Sequence, residues 1–304
     1  MAFGRGKVIL VGEHAVVYGH PAIAAGLDVG VHAQARASAD DRLCIRPWGR
    51  DVVADERSDE PLGRAFAALL RSGREGRPAS PVCVEVMVQI PAAAGLGCSA
   101  ALGVAIAGAL DEWLGLRRPL DERERLALAW EREFHGNPSG IDTAVSLRGG
   151  VMWYRRGQAP EALRPACALL LVLVDSGQPS STREMVARVA ARREAQPALV
   201  GSTFDALGAL AGRMREALAR GDRDEIGRCF DAAHDGLCAL GVSTERLDAL
   251  CERARSAGAL GAKPTGAGGG GCAIALVGDE GRAGRVLEAC AAMGARSWLV
   301  EVGR

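Results

Sequence analysis

The segment IPAAAGLGCSAA, residues 90–101, has the residue types of a phosphate-binding loop. It follows an apolar strand-like run, Val82 to Ile90, and leads into an apolar helix-like run, Ala100 to Leu114. Small residues let the backbone approach a bulky ligand, and the unpaired N–H groups at a helix N-terminus favour phosphate. Ser99 is the predicted start of that helix. The lysine-containing pattern G-x-x-x-x-G-K-[ST] does not occur in the chain.

The same loop is open to two other interpretations. A glycine-rich turn between a strand and a helix is also ordinary loop structure. Gly95 to Ala100 (GLGCSA) matches the dinucleotide pattern G-x-G-x-x-A, but Asp111 and Glu112 fall inside the following helix instead of ending a second strand. Gly266 to Gly271 (GAGGGG) matches the related pattern G-x-G-x-x-G but precedes a strand, so we interpret that match as coincidence.

The composition excludes several classes of protein. The 37 basic residues balance the 37 acidic ones, so we predict neither nucleic acid nor a membrane surface as a partner. The nine cysteines form no C-x-x-C pairs, which favours buried reduced thiols in a cytoplasmic protein. Glu13 and His14 interrupt the apolar N-terminal patch, and no apolar run reaches about 18 residues, so we predict neither a signal peptide nor a membrane span.

The hydrophobic patterns predict a mixed α/β chain with two domains, residues 1–160 and 166–304, divided near Arg155 to Pro165. Asp121, with Glu124 three residues later, is the predicted N-cap of the second helix. Strands are predicted at residues 7–11, 29–37, 82–90, 149–154, 168–174, 272–277 and 297–302, and helices at residues 100–114, 121–134, 182–193, 203–220, 222–240, 244–257 and 280–293.

Three segments, in this order and spacing, resemble the signature segments of the GHMP kinase superfamily. They are GKVILVGEHAVVYGHPAIA (residues 6–24), the loop of residues 90–101, and KPTGAGGGGCAIAL (residues 263–276). Within that superfamily, GKVILVGEHAVVYG together with HGNPSGID (residues 135–142) resembles the mevalonate kinases. The resemblance covers the chain from near its N-terminus to about residue 276.

The resemblance implies the GHMP kinase fold, with an N-terminal domain similar to ribosomal S5 domain 2, a ferredoxin-like C-terminal domain and an active site between them. It implies ATP-dependent phosphorylation of the C5 hydroxyl of mevalonate, giving 5-phosphomevalonate for isoprenoid biosynthesis. ATP and Mg²⁺ are the implied cofactors. Dimers occur in the family, so a homodimer is compatible with the resemblance.

The resemblance assigns the ATP phosphates to the loop Ala94, Gly95, Leu96, Gly97, Cys98, Ser99, Ala100 and Ala101. It assigns Mg²⁺ to Ser99 and Glu131, by the offset of Glu131 before HGNPSGID. The family usually has two serines where this chain has Cys98 and Ser99. The alternatives are a helix N-cap for Ser99 and a surface position for Glu131.

Asp142 resembles the catalytic base of the family, and Lys7 is the implied partner of Asp142 and of the developing alkoxide. A turn or N-cap aspartate and a lysine at the edge of a strand are the alternatives. The break in the helix at Gly136, Pro138 and Gly140 is expected to let Asp142 and Glu131 converge on one cavity.

The resemblance places Glu13, His14, Thr182, Gly266 and Ala267 at the substrate. For His14 the alternative is a hydrogen-bonded core residue, and for Thr182 it is a helix N-cap. Two interpretations of Lys263 stay open: its side chain reaches a phosphate, or it flanks its loop in solvent.

Other functions remain in competition at this point. One is a GHMP kinase for another small alcohol or for phosphomevalonate, although no basic cluster near the substrate segments serves a second phosphate. A dinucleotide-dependent oxidoreductase using GLGCSA and a non-catalytic nucleotide-binding protein are the others. The presence of Lys7, Glu131 and Asp142 together favours catalysis.

Overall fold

The computed structural model describes residues 1–77, 79–135 and 138–303. Gly136 and Asn137 of the HGNPSGID segment therefore lie outside the described residues. Within the described ranges the strands are β1 (Ala2–Val11), β2 (Ala22–Ala37), β3 (Arg42–Ile45), β4 (Arg50–Val53), β5 (Val82–Val88), β6 (Val151–Tyr154), β7 (Glu161–Leu163), β8 (Leu169–Asp175), β9 (Gly261–Pro264), β10 (Cys272–Val277) and β11 (Arg296–Val302).

The helices lie between these strands, partly in consecutive runs. They are α1 (Pro61–Arg74), α2 (Cys98–Leu114), α3 (Leu120–His135), α4 (Ile141–Arg148), α5 (Thr182–Ala195), α6 (Pro197–Arg220), α7 (Arg223–Ala239), α8 (Glu245–Ser256) and α9 (Glu280–Ala291), with short 3₁₀ helices at Ala15–Tyr18 and Arg46–Trp48. The predicted mixed α/β class is confirmed. Of the described helices, none has both the length and the apolar character that crossing a bilayer requires.

The chain divides into two compact units that are not contiguous in sequence. The first contains residues 1–6, 28–91 and 97–148, and the second contains residues 7–27, 92–96 and 149–304. Strands β1 and β2 pair with each other, and each contributes residues to both units.

The first unit builds its core from one face of a sheet and three helices. The sheet order is β4-β3-β5-β2, with β3 parallel to β5 and the other pairs antiparallel. Alternating Val82, Val84 and Val86 of β5 are buried, as their spacing predicts. They join a cluster with residues of α1, α2 and α3, among them Phe66, Leu69, Ile106, Leu110 and Trp130.

Helix α2 is the central helix of this unit and is apolar on nearly every side. Twelve of its 17 residues are buried, so packing and not amphipathic patterning fixes its place. Gly4 of β1 lies against it so closely that a Cβ on Gly4 would be 2.0 Å from the carbonyl oxygen of Ala101. The start of α2 is thereby anchored to β1.

Helix α3 begins at Leu120, so Asp121 lies in its first turn and the predicted N-cap is wrong. The carboxylates of Asp121 and Glu124 instead accept hydrogen bonds from Arg148 of α4, at 2.6 and 2.8 Å. These charges hold α3 and α4 together within the first unit.

The second unit contains the antiparallel sheet β11-β8-β10-β9. Its apolar cluster joins β8, β9 and β10 to α8 and α9 through Val172, Ala262, Ala275, Leu250 and Val286. Residues 22–25 of β2 pair with β6, and β6 pairs with β7, in the same unit. The element order in the second half agrees with the sequence prediction to within a few residues at each end except for helix α6, which begins at Pro197 rather than 203, and strands β7 and β9, which were not predicted.

The close approach at Gly4 generates a stability prediction. Gly4→Ala forces a methyl group into the α2 backbone, and overpacking of this kind costs about 1–3 kcal/mol. Gly212→Ala is the matched control, because no atom other than those of its two chain neighbours and the adjacent α6 backbone lies within 4 Å of its Cβ position. Alanine there gains about 0.5–1 kcal/mol of helix propensity. Urea unfolding of both variants checks the opposite signs, and equal effects would contradict the packing argument.

Candidate active site

The N-terminus of α2 is open where the sequence predicts phosphate binding. The helix begins at Cys98, and its N-cap is Gly97, with φ of 71°. No described side chain caps it and its first turn has no acidic residue. In contrast, Ser181, Asp222, Thr244 and Asp279 cap α5, α7, α8 and α9. The first N–H groups of α2 therefore remain available to an anion.

Ser99 and Glu131 are brought together in the first unit. The hydroxyl of Ser99 donates a short hydrogen bond to Oε1 of Glu131, and Nε1 of Trp130 donates to the carbonyl oxygen of Ser99 at 3.0 Å. Since α2 begins one residue earlier, Ser99 is not its N-cap. Glu131 is 3% exposed, so its alternative interpretation as a surface glutamate is wrong as well.

Cys98 departs from the family pattern, and its surroundings keep it inert. Burial and, to a lesser extent, the nearby charge of Glu131 raise the pKa of the Cys98 thiol to about 12. The thiol therefore stays protonated at neutral pH and is not an activated nucleophile.

Asp142 lies in the first turn of α4, which begins at Ile141 after Gly140. It is thus not the N-cap, and a carboxylate in a first turn is favoured by the helix dipole. Ser146 of the same helix donates to the carbonyl oxygen of Arg5 at 2.7 Å, which fixes α4 to β1 within the first unit.

In the second unit, Lys7 lies on β1 and is only 2% exposed, so it is not a strand-edge lysine that reaches into solvent. Its backbone N–H donates to the carbonyl oxygen of Leu96 at 2.9 Å. This bond fastens the loop of residues 90–101 to the strand that carries Lys7.

Glu13 and Lys263 form a buried ion pair that the sequence did not indicate. Lys263 is fully buried, so it does not flank its loop in solvent, and its ammonium donates a short hydrogen bond to Oε1 of Glu13. Burial raises the pKa of Glu13 and lowers the pKa of Lys263, and in each case the partner's charge opposes the shift.

His14 has an unusual backbone conformation and a defined hydrogen-bonding state. Its φ is 60°, which is uncommon for a residue with a Cβ. Its Nε2 lies 2.8 Å from the carbonyl oxygen of Ala267. Because a carbonyl only accepts, Nε2 carries the hydrogen. Burial lowers the pKa of His14. The imidazole is therefore neutral near pH 7, and Nδ1 is left as an acceptor.

Three loops of the second unit interlock through their backbones. A Cβ on Gly266, where φ is 86°, would be 2.8 Å from the carbonyl oxygen of Gly95. Ala94 accepts a hydrogen bond from the N–H of Cys272 at 2.9 Å. The N–H of Ser180 donates to Ala93, and its hydroxyl donates to Gly268. Glycine permits this approach because it lacks a Cβ.

Two residues of this region were missed by sequence reasoning. Thr265 accepts a hydrogen bond from the N–H of Ile9 at 2.8 Å, and Ser180 joins two loops as described. For Thr265, the only local signal was its place as a polar residue at the start of a glycine-rich segment. Thr182 is exposed at the start of α5, where Ser181 and not Thr182 accepts the capping hydrogen bond.

A dinucleotide site would need a free carboxylate to bind the ribose, and the nearest candidate, Asp111, is already engaged in ion pairs. Asp111 is fully buried in α2 and pairs with Arg118 and Arg123. GLGCSA therefore lacks the acidic partner of the dinucleotide pattern.

His234, Cys238 and Asp248 form the one metal-like cluster found among the described residues. Arg255 donates to Nδ1 of His234 at 2.7 Å, so Nε2 carries the hydrogen and donates to Asp248 at 2.8 Å. Burial raises the pKa of Cys238 to about 11. A cation would thus meet an N–H, a thiol and a neighbouring guanidinium, so we interpret the cluster as a structural hydrogen-bond network.

Comparison with known proteins gives consistent matches in sequence and fold. The model of the GHMP kinases N terminal domain matches residues 62–150, and the model of the GHMP kinases C terminal region matches residues 214–296. Mevalonate kinase of Thermococcus sibiricus is 37% identical over 92% of this chain and 90% of its own. Mevalonate kinase of Pyrococcus horikoshii is 36% identical over 100% of this chain and 96% of its own.

A solved structure extends the match to three dimensions. The crystal structure of L. major mevalonate kinase in complex with R-mevalonate has a TM-score of 0.86 and 28% identity. The superposition covers 99% of this chain and 94% of the L. major chain.

The buried neutral state of His14 generates a pH prediction. Because its pKa is lowered in the folded protein, the unfolded chain binds more protons below about pH 6.5. Stability from this residue is therefore present above that pH and is lost as the pH falls. We expect His14→Gln to flatten the rise of the unfolding free energy between pH 5 and 7, measured by urea titration. His32→Gln is the control, and an unchanged slope in His14→Gln would contradict the assignment.

Proposed function

Because the chain belongs to the GHMP kinase family, we propose that it phosphorylates the C5 hydroxyl of mevalonate with ATP and releases 5-phosphomevalonate and ADP. The observation that carries the chemistry is the Ser99–Glu131 pair beside the uncapped start of α2. The full-length similarity to proteins named mevalonate kinase supports the substrate.

The ATP phosphates are proposed to bind the loop of residues 94–101, whose helix N-terminus offers N–H donors. The donor set of Ser99 and Glu131 fits magnesium, since a hydroxyl and a buried carboxylate are hard oxygen ligands held side by side. When bound, Mg²⁺ would neutralise charge on the phosphates. The inert Cys98 does not compete for it.

Asp142 is the proposed general base. It takes the proton of the C5 hydroxyl while that oxygen attacks the γ-phosphorus of ATP, and the bond to ADP breaks. Lys7 is proposed to stabilise the negative charge that develops on the transferred group. Its burial supports this role, because a charge interaction is stronger away from water.

Glu13, His14, Thr182, Gly266 and Ala267 are the proposed substrate residues. The tautomer of His14 specifies which substrate group it can bind. Because Nδ1 accepts a hydrogen bond, it suits a hydroxyl of the substrate and not the substrate carboxylate. We also propose the cytoplasm as the place of action, which the nine free cysteines support. A homodimer remains a prediction.

The test of this function is a coupled ADP-release assay with Mg·ATP. Mevalonate, phosphomevalonate, galactose and homoserine are compared as acceptors. We expect turnover with mevalonate alone. Turnover with another acceptor and not with mevalonate would refute the substrate while leaving the kinase chemistry.

Asp142→Asn tests the general base. We expect kcat to fall by about 100-fold or more, since a positioned base contributes 10²–10⁴-fold, while ATP binding persists. Glu133→Gln is the control, a partly exposed carboxylate that accepts a hydrogen bond from Arg64. A kcat for Asp142→Asn equal to that of the control would make Asp142 structural.

Ser99→Ala tests the metal role. We expect a higher Mg²⁺ concentration for half-maximal rate and a far-UV spectrum like that of the wild type, because the residue does not cap α2. Ser202→Ala, which removes a surface hydroxyl on α6, is the control. A magnesium titration identical to the control would exclude Ser99 as a ligand.

A further inference from the structure

Lysine occurs at only two positions in this chain, 7 and 263, and arginine supplies the other 35 of the 37 basic side chains. Both lysines are buried, at 2% and 0% exposure. A chain that otherwise uses arginine keeps lysine where a compact ammonium is needed in place of a planar guanidinium fork. Lys7 already has a proposed catalytic role, so Lys263 needs a reason of its own.

The ammonium of Lys263 satisfies three acceptors that come from separate parts of the second unit. Besides Oε1 of Glu13, it donates to the carbonyl oxygen of Ile9 at 3.1 Å and to that of Pro264 at 2.7 Å. All three N–H donors of an ammonium are thereby used. The Lys263 side chain therefore links the end of β1, the Glu13 side chain that follows β1, and the end of β9.

These three points hold the residues proposed to contact the substrate. His14 follows Glu13 directly, and its φ of 60° is a conformation that persists only where the surroundings impose it. Glu13 is fixed by Lys263 on one side, and the His14 ring is fixed by Ala267 on the other. Thr265, which follows Pro264 and precedes the loop of residues 266–271, is hydrogen-bonded to the backbone of Ile9 and so links these two points again.

The charge of Lys263 also matters to Glu13. Oε2 of Glu13 is buried and has no hydrogen-bond partner within the described part of the chain. Burial raises the pKa of Glu13, and the charge of Lys263 opposes this shift more strongly than the charge of Lys7 does. A buried ion pair is weak evidence for stability, because apolar residues of similar volume often replace one without loss. The presence of the Glu13–Lys263 pair next to His14 is better explained if the pair positions His14.

We propose that Lys263 is a positioning residue of the kinase reaction, which acts through Glu13 to hold His14 and the loop of residues 266–271 in their substrate-binding arrangement. This inference rests on the proposed function. It assigns Lys263 no contact with phosphate or substrate.

The experiment compares Lys263→Met and the double variant Glu13→Gln/Lys263→Met with the wild type. Wild-type turnover of mevalonate is measured first, then the KM for mevalonate, the KM for ATP and the melting temperature of each protein. The control is Asp111→Asn/Arg118→Met, which removes the buried ion pair between Asp111 of α2 and Arg118 in the first unit.

We expect the mevalonate KM of both Lys263 variants to rise by about 10-fold or more, because small displacements of positioning groups are costly. The ATP KM is expected to stay within about twofold of the wild type, since the Lys263 ammonium donates to Ile9, Glu13 and Pro264 and not to residues 94–101. The double variant is expected to melt closer to the wild type than Lys263→Met does, as the unpaired buried charge is gone. The control is expected to lower the melting temperature without changing the mevalonate KM.

A folded double variant with a wild-type mevalonate KM would overturn the inference, and so would equal increases in the KM of both substrates. If neither Lys263 variant folds while the control does, the pair is a requirement of folding and not a positioning device. A wild-type protein that releases no ADP with mevalonate would refute the proposed function itself. An active wild type with unaffected variants would refute the inference alone.

Discussion

The start of helix α2 is the constraint on which the first unit depends. Apolar packing fixes the helix on nearly every side, so its N-terminus cannot turn toward a side-chain cap without disturbing the core. Gly97 provides the left-handed backbone that begins the helix without a capping side chain. Trp130 of α3 then donates a hydrogen bond to the carbonyl oxygen of Ser99, and Glu131 accepts one from its hydroxyl. The core of this unit thus exposes the N–H groups of α2 and places oxygen ligands beside them.

The second unit solves a different problem, which is to hold flexible glycine-rich backbone in one arrangement. Backbone hydrogen bonds and contacts too close for a Cβ join the loops around Ala94, Ser180 and Gly266. The ion pair of Glu13 and Lys263 adds a fixed point at the end of β1. Loops held in this way are pre-organised, so the binding of a ligand does not have to supply the free energy of ordering them.

Much of this could be predicted from the sequence, because the signals are local. The GHMP kinase family and the mixed α/β fold followed from ordered motifs, and the comparisons confirmed them. Helices α2 and α3 were visible as long apolar or amphipathic runs. Helix α4 was not, because the Gly and Pro residues just before it suggested a continuing loop.

The errors came from features that local patterns do not contain. Asp121 was wrongly predicted to be an N-cap, and the alternative interpretation of Ser99 and Thr182 as N-caps is wrong too, because neighbouring packing and charge decide which residue leaves the helical conformation. The pairing of Glu13 with Lys263 joins positions 250 residues apart, and no periodicity indicates it. The presence of only two buried lysines also has a practical side. Reagents that acylate lysine amines, and proteases that cleave only after lysine, meet no lysine side chain on the folded surface, although arginine-directed ones meet many.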